Sequence, residues 1–127
     1  MTLDSIQKIL PKCLQMKQID SNNFQINAPI FYAKGKQAGI FLSKQGSSFF
    51  LCDKKQTLKY MNELYELGAK DVKSCINNVI KIYGFKISNG ELLTEIKSEN
   101  EFAYKIFDMF MCIGQLVNMY AFFDEPN

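Results

Sequence analysis

The last long segment of the chain constrains the arrangement of everything before it. From Glu99 to Phe122, apolar residues recur at helical spacing in two adjacent stripes. Phe102, Ile106, Phe110, Ile113, Val117 and Tyr120 form one, and Ala103, Phe107, Met111 and Gly114 form the other. Ser98 and Glu101 have the spacing of a capping box that opens the helix. After Asp108 the segment is apolar nearly all round, and a helix of that kind is buried on more than one side. In a chain of 127 residues, one side can pack on a sheet and the other on a second subunit, so a homodimer is expected.

Upstream, the patterning alternates between two periods. Leu3 to about Met16 reads as a helix, with Leu3, Ile6, Ile9, Leu10, Cys13 and Leu14 on one stripe. Pro11 removes a donor and crowds the preceding turn, which predicts a kink or a helix boundary there. Asp20 to Asn23 reads as a loop. Three strands follow: one around Phe24 and Ile26 that ends near Pro29, one over Gly39–Ser43 and one over Ser48–Cys52. Turns at Lys34–Lys36 and Lys44–Ser47 separate them. The second and third strands are apolar on both faces, which predicts a covered sheet or one that meets a partner.

Asp53 and Gln56 match a capping box before a helix that buries Leu58, Met61, Leu64 and Tyr65 and stops at Gly68. A further helix runs from about Lys70 to Tyr83, with Val72, Cys75, Ile76, Val79 and Tyr83 as its stripe and Gly84 as its stop. Asn89-Gly90 accepts positive φ at both central turn positions, so Phe85–Ile87 and Leu92–Ile96 form a tight hairpin with Ile87 facing Leu92. The order α-β-β-β-α-α-β-β-α describes a single two-layer α+β domain over residues 1–127. Its antiparallel sheet is a three-strand meander plus a hairpin, packed with helices.

Composition narrows the chemistry. The chain has no histidine and no tryptophan, and all 15 basic residues are lysines. Histidine-based nucleophilic mechanisms, histidine metal sites and a histidine pH switch are therefore excluded. Without arginine the planar fork that grips phosphate and guanine edges is also missing. A genome rich in A and T would favour the same lysine, asparagine, isoleucine and phenylalanine usage. Cys13, Cys52, Cys75 and Cys112 are scattered among apolar neighbours with no C-x-x-C pair, which reads as buried free thiols in a reducing compartment. The segment Met1–Leu14 carries Asp4, Lys8 and Lys12 and no uninterrupted apolar run. Met109–Phe123 is too short and too interrupted to span a bilayer. A soluble, cytoplasmic protein without membrane contact is expected.

Charge is unevenly distributed. Residues 1–60 hold nine lysines against three acids, and residues 61–127 hold six lysines against ten. The carboxylates Asp53, Asp71, Glu91, Glu95, Glu99 and Glu101 are better explained as caps, turn flanks and polar faces than as a catalytic pair. No glycine-rich phosphate loop is present. The reading is therefore non-enzymatic, with no cofactor and no metal. Two binding surfaces remain open. Lys34, Lys36, Lys44, Lys54, Lys55 and Lys59 flank strands carrying Phe31, Tyr32, Phe41 and Phe50. They could meet a charged protein partner or, alternatively, bind single-stranded nucleic acid by charge and stacking without sequence specificity. Phe107, Met111, Met119, Phe122 and Phe123, with Met61 and Met109, could make an adaptable apolar surface for a partner or a second subunit.

Two resemblances bear on this choice. Ile40-Phe41-Leu42 before Phe49-Phe50-Leu51-Cys52-Asp53, then Thr57-Leu58, Gly84 to Ile87, Gly90-Glu91-Leu92 and the closing apolar helix resemble an uncharacterised family called domain of unknown function 1828, common in bacterial, phage and prophage genomes. Members more often carry an acid or threonine where Cys52 stands. The resemblance implies no established activity. Its phage association implies an inhibitor that occludes a host defence protein. The order of elements is also similar to the dimeric chaperones of specialised secretion systems, which bind extended client segments on apolar patches. Those are usually acidic, whereas this chain has a pI of about 8.3.

Overall fold

A computed structural model describes residues 1–10, 14, 16–32, 35–64 and 70–119. Within them run α1 (Leu3–Ile9), β1 (Lys17–Asp20), β2 (Asn23–Phe31), β3 (Gln37–Gln45), β4 (Ser48–Cys52), α2 (Gln56–Leu64), α3 (Lys70–Ile82), β5 (Lys86–Ser88), β6 (Glu91–Ile96) and α4 (Glu99–Val117). The architecture is α+β, with six strands in one antiparallel sheet ordered β1-β2-β3-β4-β6-β5.

The first helix is shorter than its periodicity suggests. Thr2 caps it by accepting from the Ser5 N–H, while Ser5 Oγ accepts from the Thr2 N–H. It ends at Ile9, and Leu10 is extended at φ −72° and ψ 135°, as expected of a residue that precedes a proline. Pro11 and Cys13 lie outside the described residues. The sequence reading missed β1. All four of its residues are exposed, because an edge strand with no buried side chain carries no apolar alternation to read. The expected loop shrinks to the turn between β1 and β2, closed by Asp20, whose carboxylate accepts from the Asn22 N–H and Asn23 Nδ2. Those bonds hold the Asp20 carboxyl below its ordinary value. The meander thus has four strands rather than three.

Register sorts the sheet into two unlike faces. Phe24 and Ile26 pair with Leu42 and Ile40, Leu42 pairs with Leu51, and Phe49 pairs with Ile96. These side chains are buried in one core with Phe102, Ile106, Met109 and Ile113 of α4. Each large side chain so buried contributes on the order of 2 kcal/mol of transfer free energy. α4 crosses this face in contact with β2 and β6, and α1, α2 and α3 pack against α4.

The opposite face carries Phe41, Phe50, Cys52 and Leu93. Phe41 and Cys52 are buried yet stand outside the core cluster. Phe41 is covered by neighbouring side chains. The Lys54 ammonium lies 5.9 Å from its ring centroid, and the ring lies over Gly39, where a Cβ would come within 3.2 Å of it. Local cover over this ring accounts for the burial of Phe41, while Phe50 and Leu93 on the same face stay half-buried.

Two turns match their sequence signals. Gly84 at φ +78° ends α3, with its N–H donating to the Lys81 carbonyl and the Phe85 N–H donating to that of Ile80, the paired bonds of a Schellman cap. Asn89 and Gly90 both have positive φ, and Ile87 pairs with Leu92. Pro29 falls where the β2–β3 register breaks between Asn27 and Phe31, a position that tolerates a missing donor. Early and late elements meet in space, because α4 packs back on β2 and α1. β1 to β4 lie side by side, and β6 and β5 extend the far end.

Candidate functional site

Three places hold polar or apolar groups that could do chemistry or bind. The first is the corner where β4 turns into α2. Asp53 is fully buried. Its Oδ1 accepts from the Lys55 and Leu92 N–H groups and its Oδ2 from that of Thr57, at 3.0 to 3.1 Å. The expected capping box does not form. The Asp53 N–H donates to the Leu92 carbonyl, and Gln56 Oε1 accepts from the Gly39 N–H instead.

Reaching three donors at once bends the chain hard. Lys54 and Lys55 sit at φ 54° and 66°, a region costing roughly 1–2 kcal/mol per residue that carries a Cβ. Beyond Thr57, its Oγ1 lies 3.0 Å from the Tyr32 hydroxyl, and the Tyr32 ring stacks on Tyr60 at 4.7 Å. Burial raises the Tyr32 hydroxyl to about 12.

These groups are occupied by the fold. Each Asp53 oxygen is satisfied by backbone donors. Burial raises the Cys52 thiol to about 11 and the Cys112 thiol to about 12, so neither forms a thiolate near neutral pH. Cys52, Cys75 and Cys112 are free thiols, with Cys75 half-buried. Among the described residues no group of three His, Cys, Asp or Glu could hold a metal ion, and no helix is long and apolar enough to cross a membrane.

The second place is the predicted lysine surface, which does not converge. Lys36, Lys54, Lys55 and Lys59 are exposed, and Lys34 lies outside the described residues. Lys44 pairs with Phe49 on the helix-covered side of the sheet, 5.9 Å from that ring. It stands eight residues from Lys36, about 27 Å along an extended strand. Lys54 lies on the other face, donating to Asn23 Oδ1 at 3.3 Å. Of the aromatics meant to stack on bases, Tyr32 and Phe41 are buried, Phe50 is half-buried and Phe31 alone is exposed.

The third place is α4. Phe102, Ile106, Met109 and Ile113 point into the core, while Tyr104 (72% exposed), Phe107 (50%) and Met111 (61%) point out. Phe107 meets Phe110 edge-on at 5.7 Å. Beside them Pro29, Ile30, Tyr83, Phe107, Phe110 and Met111 line an apolar groove of about 620 Å³. Gly114 also lines it, and a Cβ there would meet Ile30 at 3.8 Å. Tyr83 is fixed in place by its hydroxyl, which donates to Gln115 Oε1 at 3.0 Å.

Two of the five predicted apolar site residues, Phe107 and Met111, thus share one surface. Met119 does not. α4 ends at Val117 with Asn118 as its cap, the Met119 N–H donates to the Leu116 carbonyl, and the Met119 side chain is buried in the core. Met61 and Met109 are core residues too. Phe122 and Phe123 lie outside the described residues. Sequence reasoning missed Ile30, and it placed Tyr83 on the packed stripe of α3 rather than at this groove. The signal was the apolar run past Pro29, which overshoots the expected strand end.

No family model, no curated protein and no solved structure matches the chain.

Proposed function

We propose that this protein is a non-enzymatic binding module that acts by protein–protein contact, with the outer face of α4 as its contact surface. The observation that carries the reading is the groove of about 620 Å³ with Phe107 and Met111 on its rim. Interface centres favour aromatic residues and methionine, and lysine and acids are depleted there. The stripe Tyr104, Phe107, Met111, Gln115 is itself uncharged, with the half-buried Asp108 directly beside Met111 and Gln115 on the same face. Self-association through α4, with capture or occlusion of another protein by the same or an adjoining surface, is the function this geometry supports best.

Sedimentation velocity tests it. The wild-type chain should sediment as a dimer at tens of micromolar, and Met111→Lys as a monomer with unchanged circular dichroism. A wild-type chain that stays monomeric at every concentration, and whose partner capture survives Met111→Lys, would remove α4 as the contact surface.

A further inference from the structure

The outer face of α4 carries one residue that the chain's own fold does not require. Gly114 lies within the helix and is not among the glycines with positive φ. A Cβ there would meet only Ile30 Cδ1, at 3.8 Å, an ordinary van der Waals contact. Glycine inside a helix is destabilising relative to alanine. Alanine would fit, and the isolated chain would gain from it. What the missing Cβ provides is a notch beside Phe107 and Met111, in the groove that Ile30 and Tyr83 also line.

The notch belongs to a seam. Tyr104, Phe107, Met111, Gly114 and Asn118 follow one another at spacings of three and four residues, the repeat by which two helices pack side by side. Gly114 is half-buried and the other four are exposed. The seam is complementary to itself about a two-fold axis at Met111. Reversing the helix there sets Phe107 against Gly114, the largest apolar side chain against the smallest residue, and sets Tyr104 against Asn118. The polar groups match as well. Asn118 Nδ2 donates to the Gly114 carbonyl at 2.8 Å, which leaves Asn118 Oδ1 to accept from a Tyr104 hydroxyl. Gln115 Oε1 accepts from the Tyr83 hydroxyl, which leaves Gln115 Nε2 to donate to an Asp108 carboxylate. Neither Tyr104 nor Asp108 makes a hydrogen bond or ion pair with a described residue. A parallel pair would instead bring the two Asp108 carboxylates to one level, crowd Phe107 against Phe107 and leave two notches facing each other.

We infer that α4 packs antiparallel on α4 of a second copy, with Phe107 of each copy seated in the Gly114 notch of the other. The inference rests on α4 being the contact surface, and it names what that surface takes: this same chain, in one orientation. The interface is isologous, so every contact occurs twice. Gly114 then serves the pair rather than the single chain, because only a residue without a Cβ lets the ring come down onto the helix backbone.

Gly114→Ala tests the notch, because its two effects have opposite signs. At concentrations where the chain is monomeric, this variant should melt at a higher temperature than the wild type. In sedimentation its dimer should dissociate at a concentration about tenfold higher or more, because the added Cβ occupies the seat of the ring. Cross-linking reads the orientation. Full-length Tyr104→Cys and Asn118→Cys chains, mixed and treated with a short bis-maleimide, should give a linked dimer that neither chain gives alone, with the wild type run beside them to show what the native thiols contribute. In the antiparallel pair the two Tyr104→Cys positions lie about 21 Å apart along the axis, beyond a short linker, whereas in a parallel pair they are adjacent. Each chain linking to itself, no link in the mixture, or a Gly114→Ala dimer as tight as the wild type would overturn the inference. If Met111→Lys still dissociates the dimer in that case, α4 stands as the contact surface and only the antiparallel seat falls. A wild-type chain that is monomeric at every concentration removes both.

Discussion

The Asp53 corner and the outer face of α4 handle awkward groups in opposite ways. The corner buries a carboxylate completely and surrounds it with backbone donors from three stretches of chain: the turn itself, the first turn of α2 and β6. α4 leaves large apolar side chains in water although a core lies one helical face away. Burial without hydrogen bonds costs more than almost any contact returns, so the corner is closed on every side. Exposure of a methionine costs the fold little, so the α4 face can remain open for something else. One region is over-determined by the fold, and the other is left undetermined by it.

The sharpest way to break the comparison is Asp53→Ala. It leaves the Lys55, Thr57 and Leu92 N–H groups without their acceptor and releases the left-handed turn at Lys54 and Lys55. A loss of about 3 kcal/mol or more in urea unfolding is expected, because hydrogen bonds to a buried charge are each worth roughly 1.5–3 kcal/mol. A loss under about 1 kcal/mol, within the range of an ordinary helix cap, would mean that water replaces the carboxylate and that the corner is not the brace described above.

Alkali probes both regions together. Tyr32 lies beside the corner, Cys52 precedes Asp53, and Cys112 sits on the inner face of α4. Burial raises these groups to about 12, 11 and 12, against 10.0 for a free tyrosine and 9.0 for a free thiol. In the unfolded chain they release protons at the ordinary values. Above pH 9 the native state therefore binds more protons than the unfolded state, and stability falls as pH rises. Full stability is expected below pH 9, followed by a decline through pH 9 to 12. Tyr32→Phe should make the decline shallower. An unfolding midpoint that stays flat from pH 8 to pH 11 would show that the thiols and the phenol are reached by water.

How much of this was legible depends on what leaves a periodic trace. The Asn89-Gly90 hairpin and the Gly84 stop are local chemistry, and the structure has both. The inward stripe of α4 follows from 3.6-residue spacing alone. β1 left no trace, because Lys17 to Asp20 are all exposed and nothing alternates. Asp53 was recognised as a cap, but its bond to Leu92 spans 39 residues and no local spacing encodes it. The lysines were grouped by their nearness in sequence. Lys44 stands on the helix-covered face of β3, whereas the left-handed turn after β4 carries Lys54 over Phe41 on the other face. Phe107 and Met111 were singled out because a helix apolar all round has more surface than one core can cover. The groove they share with Ile30 and Tyr83 depends on how β2 and α3 pack beside α4.

The smallest expected effect is also the most discriminating. Met109 and Met111 are two residues apart on one helix, the first fully buried and the second 61% exposed. Met109→Ala removes side-chain volume from the core and should cost about 2–5 kcal/mol. Met111→Ala removes the same atoms from a surface and should change stability by no more than about 0.5 kcal/mol in dilute solution, where no partner contributes. If α4 associates with a second copy, the Met111 variant should instead show a deficit that grows with protein concentration, because subunit binding stabilises the native state by mass action. A deficit independent of concentration would assign Met111 to the monomer's own packing. A concentration-dependent one would place it in an interface, and unfolding curves at two concentrations separate the cases without knowledge of any other partner.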